Sequence, residues 1–243
     1  MDAPEWIVGE HSYNSDPDVF VDGNSVYVIN RPRYVNITNK KAKESIYMIK
    51  GELSDESVKI VETSHFRDIK GGSPCLNFHQ DRYVLFVIEP IGSWLTGRLN
   101  KNGKIKFIVS ETIDGLKENE QWENVSVHYP ENYYPWHLSV FTYQGRMYAV
   151  VTCVKDGVDR KCWNFLGEFS ENLKDLHIYK TLLTDYESYR SAGCVREDGE
   201  FVLYNTTVGE KIKGGMSVDG REVVMAHCRF EDMLTELRQN ENM

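Results

Sequence analysis

Tyr189-Arg-Ser-Ala-Gly-Cys-Val-Arg-Glu-Asp-Gly-Glu-Phe-Val-Leu-Tyr204 carries two short apolar runs joined across Asp198-Gly199. Two such runs around an Asp-Gly turn spell a β-hairpin. The same writing recurs three times upstream. Asp16-Pro-Asp-Val-Phe-Val-Asp-Gly-Asn-Ser-Val-Tyr-Val-Ile29, Ser73-Pro-Cys-Leu-Asn-Phe-His-Gln-Asp-Arg-Tyr-Val-Leu-Phe86 and Pro135-Trp-His-Leu-Ser-Val-Phe-Thr-Tyr-Gln-Gly-Arg-Met-Tyr148 each open on a turn-like segment and end in an aromatic strand. The four openings lie about 55–60 residues apart. A fixed period of this size marks a repeat architecture.

Two further strands follow each hairpin. They are Ser45–Gly51 and Val58–Thr63 in the first repeat, Trp94–Leu99 and Lys104–Val109 in the second, and Cys162–Phe169 and His177–Leu183 in the third. The fourth repeat supplies Glu222–Phe230 and stops one strand short, while Glu5-Trp-Ile-Val-Gly-Glu10 at the other end reads like an outer strand. Four-stranded units around an axis, with the N-terminal strand completing the last, predict an all-β fold: a β-propeller of four blades, five being the alternative. Residues 1–243 are then a single domain. Sustained helical periodicity is absent; Phe230–Arg238 predicts about two turns.

Composition narrows the partners. The apolar set is 41% of the chain, enough for a real core, and 28 Lys+Arg against 37 Asp+Glu give a net charge of −9. Nucleic acid and anionic membrane are therefore not expected as partners. Nothing approaches a bilayer-spanning apolar stretch, and Met1–Trp6 lacks the basic and apolar regions of an export signal, so both virion and cytoplasm fit and the location stays open. The five cysteines show no C-x-x-C spacing and are expected as free thiols. The N-x-[ST] triplets at Asn36, Asn124 and Asn205 are read as chance. No cofactor and no metal site is expected, since His137 has no second histidine at ligand spacing.

Side chains at the openings of the repeats converge at one face of a propeller. Those openings hold Asp16 and Asp18, Ser73-Pro74, Trp136 and His137, and Glu187, Tyr189 and Arg190. Aromatic faces with polar tips suit sugar rings, and an Arg suits an anionic group. Each residue also has a plainer reading: Asp16 as a turn former, His137 as a structural histidine, Trp136 and Tyr189 as core aromatics, Glu187–Arg190 as an ion pair.

The repeated Asp-Pro-x-hydrophobic opening with its aromatic strand, together with the unit Gly167–Leu183, resembles the glycoside hydrolase family 43 type of propeller and its non-catalytic relatives. Those relatives include carbohydrate-recognising propellers of bacteriophage tail and receptor-binding proteins, which Pro135-Trp-His-Leu138 and Tyr189-Arg-Ser191 resemble. For a hydrolase the resemblance implies Asp16 as base and Glu187 as acid. It also implies a second Asp at another opening, where this chain has Ser73-Pro74 and Pro135-Trp136, a Glu-Gly-Pro setting that Glu187 lacks, and five blades. The expected function is accordingly a carbohydrate-recognition propeller, a bacteriophage virion or tail component, binding a glycan or cell-surface polysaccharide through Asp18, Trp136, His137, Tyr189 and Arg190, with other virion proteins as further partners. A glycoside hydrolase with paired carboxylates and a protein-interaction scaffold are the alternatives.

Overall fold

The computed structural model describes residues 12–36, 41–89, 103–155, 162–207 and 222–241. Its strands form four sheets, one for each sequence repeat, and the fold is a four-bladed all-β propeller. The chain divides into two compact units, Met1–Pro90 with Lys106–Trp122, and Ile91–Ile105 with Glu123–Met243.

In the first unit, β1 (Ser12–Asp22), β2 (Ser25–Asn36), β3 (Lys41–Leu53) and β4 (Val58–Ile69) make one antiparallel sheet in that order. Asp22 pairs with Ser25, leaving the two-residue turn Gly23-Asn24 with Gly23 at φ 54°. That left-handed conformation is why Gly follows Asp here. The second sheet has the order β5 (Gly72–His79), β6 (Arg82–Glu89), β7 (Lys104–Ser110) and β8 (Glu123–Asn124). Its hairpin turns through Gln80 and Asp81, both with positive φ, a conformation Asp tolerates better than most side chains. Ile29, Ile46, Met48 and Phe66 from the first sheet meet Leu76, Leu85, Val87 and Ile108 from the second in one core, closed by Leu116 of the short helix α1 (Gly115–Glu118). The expected strand Trp94–Leu99 and the closing strand Glu5–Glu10 lie outside the described residues.

The second unit contains β8 (Glu123–Asn124), β9 (Ser126–His128), β10 (Tyr133–Tyr143), β11 (Arg146–Lys155), β12 (Cys162–Phe169) and β13 (Asp175–Leu182). The third sheet has the order β10-β11-β12-β13-β9, with β9 parallel to β13. This fifth strand is too short to show a period of two, so the sequence leaves it unmarked. The fourth sheet is β14 (Ser188–Val195), β15 (Glu200–Thr207) and β16 (Val223–Arg229), and α2 (Phe230–Glu241) follows directly. Gly193 is required on β14 because a Cβ there would lie 2.6 Å from Val150 Cγ2 and 2.9 Å from the Phe201 ring.

Phe230, Leu234 and Leu237 recur at i, i+4 and i+7 and bury one face of α2 against Phe141, Tyr148 and Phe201. Phe230 is 0% exposed and meets Tyr143 and Tyr148 edge-on, at 4.9 and 5.0 Å between ring centroids. Burying such a ring contributes on the order of 2–3 kcal/mol. The helix runs three residues past the expected Arg238. Beyond that point polar contacts hold it: Arg238 Nη2 donates to Glu168 at 3.1 Å, and Glu241 accepts from the Lys180 N–H at 2.6 Å.

Candidate functional site

The first strand of every sheet breaks register at the opening of its repeat. The shifts fall between Ser15 and Asp18, Gly72 and Cys75, Pro135 and His137, and Ser188 and Ser191. Pro17, Pro74 and Pro135 sit at three of these points, where a residue without an N–H interrupts the ladder. Bulges re-aim side chains out of the alternating pattern. Asp16, Trp136, Tyr189 and Arg190 all stand within them.

In the first unit Asp16 is 3% exposed and adopts φ 55°. Its Oδ2 lies 2.7 Å from Arg31 Nη2 and accepts the Ser73 N–H at 3.3 Å. Arg31 Nη1 reaches Glu44 Oε1 at 3.4 Å, and Glu44 Oε2 accepts the Gly71 N–H at 3.2 Å. One guanidinium thus ties two carboxylates across β1, β2 and β3, and these in turn receive the start of β5. Space is tight: a Cβ on Gly72 would lie 3.0 Å from Arg31 Nη1. Ser73 shares the left-handed conformation, at φ 48°.

Asp18 is half-buried and its Oδ2 accepts the Leu76 N–H at 2.9 Å. Burial pushes its carboxyl up to about 6, against the opposing hydrogen bonds from Leu76, Cys75 and Val19. The folded state therefore holds this proton more tightly than the unfolded chain, so stability is highest at acid pH and falls as pH rises from about 4 to about 6. Asp18→Asn retains an acceptor for Leu76 and removes the buried charge. It is expected to raise stability by about 1–3 kcal/mol at pH 7–8 and to change little near pH 4. Urea unfolding at the two pH values checks this; equal effects at both would refute it.

In the second unit Trp136 and His137 on β10, and Tyr189 and Arg190 on β14, are all half-buried. Trp136 and Tyr189 pack against one small cluster, Tyr134, Val154 and Cys162. The Arg190 guanidinium lies 5.1 Å over the Tyr189 ring. Burial pushes the Cys162 thiol up to about 12, with the Glu187 carboxylate adding to the rise and Arg190 opposing it, so both charges lie close to this cluster.

The second unit also holds a buried polar ladder that the sequence does not mark as one. Thr152 Oγ1 donates to Asn164 Oδ1 at 2.8 Å, and Asn164 Nδ2 donates to Asn205 Oδ1 at 3.0 Å. Ser191 Oγ donates to the same Asn205 Oδ1 at 2.6 Å, and Asn205 Nδ2 donates to Tyr186 Oη at 3.1 Å. The ladder anchors the residue immediately before Glu187. It also explains why the Asn205 triplet is not an accessible glycosylation acceptor in the folded protein, since Asn205 is 1% exposed. The signal available in the sequence was Asn164 inside the apolar run Cys162-Trp-Asn-Phe-Leu166. Arg31 and Glu44 carried no such signal.

No protein-family model matches the chain, and no curated protein matches its sequence. Solved structures do. An N-acetylgalactosamine deacetylase from F. plautii, in complex with blood group B trisaccharide, superposes with TM-score 0.68 at 12% identity over 95% of this chain and 76% of that one. The fold is that of the family 43 glycoside hydrolase propellers. The GH43_1 enzyme from Xanthomonas citri complexed with xylose gives TM-score 0.55 at 11% identity, over 90% of this chain and 71% of that one. An endo-arabinase from Bacteroides thetaiotaomicron gives 0.57 at 11%, over 93% and 78%. At these identities the likeness is one of fold, and activity has to be argued from this chain's own residues. Among the described residues no three His, Cys, Asp or Glu side chains gather as a metal site would require.

Proposed function

We propose that this propeller recognises a carbohydrate on the shelf formed by Trp136, His137, Tyr189 and Arg190. The observation that carries the reading is the packing of Trp136 and Tyr189, more than 50 residues apart in sequence, against the same cluster. Half-buried aromatic faces offer stacking surface to a sugar ring, and Arg190 beside Glu187 supplies a hydrogen-bond donor next to an acceptor. A ring bearing a carboxylate or phosphate fits best, because the guanidinium pairs with such groups. Asp18, in the first unit, is proposed as a polar carbohydrate contact of that unit. A bacteriophage tail or virion setting is a narrower form of the same reading and rests on the sequence resemblance. The reading of residues 1–243 as a single domain rests on the four sequence repeats forming one ring.

Trp136→Ala and Arg190→Ala are each expected to weaken binding by about 1–3 kcal/mol, with the Arg190 loss the more salt-sensitive. Calorimetric titration of folded variants against acidic glycans selected on an array is the measurement. A ligand whose affinity survives both changes binds elsewhere.

A glycosidase using Asp16 as base and Glu187 as acid is the second reading. It is favoured by the left-handed backbone at Asp16, since strain of this kind gathers at functional sites. Against it stands the Arg31 ion pair, which fixes the same carboxylate in a structural role. Robust wild-type turnover of an aryl glycoside, abolished in folded Asp16→Asn, would reverse the ranking.

A further inference from the structure

The first unit contains a cleft of about 470 Å³ that the shelf does not use. Glu44, Arg67, Lys70, Glu89, Lys106 and Trp122 line it, and its volume falls within the range of small-molecule sites. Glu44 is also the carboxylate that holds Arg31, so the cleft shares a wall with the Asp16 ion-pair node.

Its chemistry is specific. Most of the charges are already matched: Lys106 with Glu89, Arg67 with Glu120, Arg31 with Glu44. Such a surface exerts little net pull on an ion, yet presents donors and acceptors side by side, as hydroxyl groups require. Arg67 is 5% exposed and donates to the carbonyls of Leu116 at 2.5 Å and Asn119 at 2.9 Å. Its guanidinium lies 5.0 Å over the Trp122 ring, which is half-buried against the core. The Arg67 Nε is buried and has no hydrogen-bond partner among the described residues. A buried donor in that condition is destabilising until an acceptor reaches it. Lys70 is exposed and makes no ion pair among the described residues, leaving one adjustable donor on the cleft wall.

We propose that this cleft is a second glycan subsite, taking a neutral sugar unit against Trp122. The proposal rests on the carbohydrate reading of the propeller, but on different residues in a different unit. Matched charges argue against an anion here, and the indole ring favours an apolar sugar face over a flexible peptide.

The test follows the indole N–H resonances of the five tryptophans during titration of the full chain with xylotriose and with blood group B trisaccharide, Trp122 and Trp136 being assigned from Trp122→Phe and Trp136→Phe. A saturable shift at Trp122 with at least one probe is expected, and Trp122→Ala should weaken that binding about tenfold, equivalent to about 1.4 kcal/mol. Lys70→Ala, on the surface, should weaken it less and serves as a second variant if Trp122→Ala does not fold. Movement of Trp136 alone overturns the subsite and leaves the shelf standing. Movement of Trp122, alone or with Trp136, supports the subsite, and silence at Trp122 with every probe up to tens of millimolar overturns it while leaving the shelf to its own titration with acidic glycans.

Discussion

Asp16→Ala is expected to destabilise the protein by about 3–5 kcal/mol, the range for breaking a buried ion pair on one side. Two losses combine. Arg31, with only 12% of its side chain exposed, loses the partner at 2.7 Å and retains the longer contact to Glu44 at 3.4 Å. The Ser73 N–H, held at the start of β5, loses its acceptor. Alanine is also a poor occupant of φ 55°, where a Cβ without a compensating polar side chain costs roughly 1–2 kcal/mol. For a chain of this size the expected fall in Tm is about 6–20 °C. Asp16→Asn keeps an acceptor for Ser73 and tolerates the left-handed backbone, so it should lose less; its own loss against wild type measures the charge, and the gap between the two variants measures the acceptor and the backbone preference. An unchanged melting temperature for Asp16→Ala would mean that the ion pair does not hold the first two sheets together.

That residue illustrates how far the sequence could be read. The hairpins were legible because Gly23, Gly145 and Gly199 take positive φ at the turns, and glycine preceded by Asp, Gln or Asp announces such turns locally. Four hairpins at one period then sufficed for the blade count. The bulges were legible only as sites of unusual residues, Asp16-Pro17, Ser73-Pro74 and Pro135-Trp136, because register is a relation between two strands and is not written in either one. Arg31 was invisible for a related reason. In an alternating strand it reads as a solvent-facing side chain, and only the bulge opposite it brings Asp16 within 2.7 Å.

The same limit hid the polar ladder, since Thr152, Asn164 and Asn205 lie on three strands of two sheets, and no local pattern joins them. Buried amides of this kind specify one arrangement of their neighbours, because any other leaves donors and acceptors unmatched. Here the neighbours include Tyr186, so the ladder links the interior of the second unit to the residue preceding Glu187.

Asn205→Ala is accordingly expected to cost about 3–5 kcal/mol and, on the proposed function, to weaken glycan binding at the shelf. Its side chain serves three groups at once: it accepts from Asn164 and Ser191, and donates to Tyr186. Each buried group left without its partner costs about 1–3 kcal/mol, and the truncation adds a small cavity. Tyr186 then loses its anchor, and Glu187 beside it becomes free to move relative to Arg190. Asn205→Asp provides the discriminating comparison. It keeps the acceptor used by Asn164 and Ser191, while the Tyr186 hydroxyl can turn to donate, so connectivity survives but a charge is buried. Desolvation raises such a carboxyl above its unfolded value, so this variant should approach wild-type stability at acid pH and lose it as pH rises. Urea unfolding at pH 4 and pH 8, with calorimetric titration of the same variants, separates the two effects. If Asn205→Ala unfolds within 1 kcal/mol of wild type, the ladder contributes nothing that water cannot replace, and the ordering of Glu187 must come from the Ser188–Thr207 pairing at the start of β14.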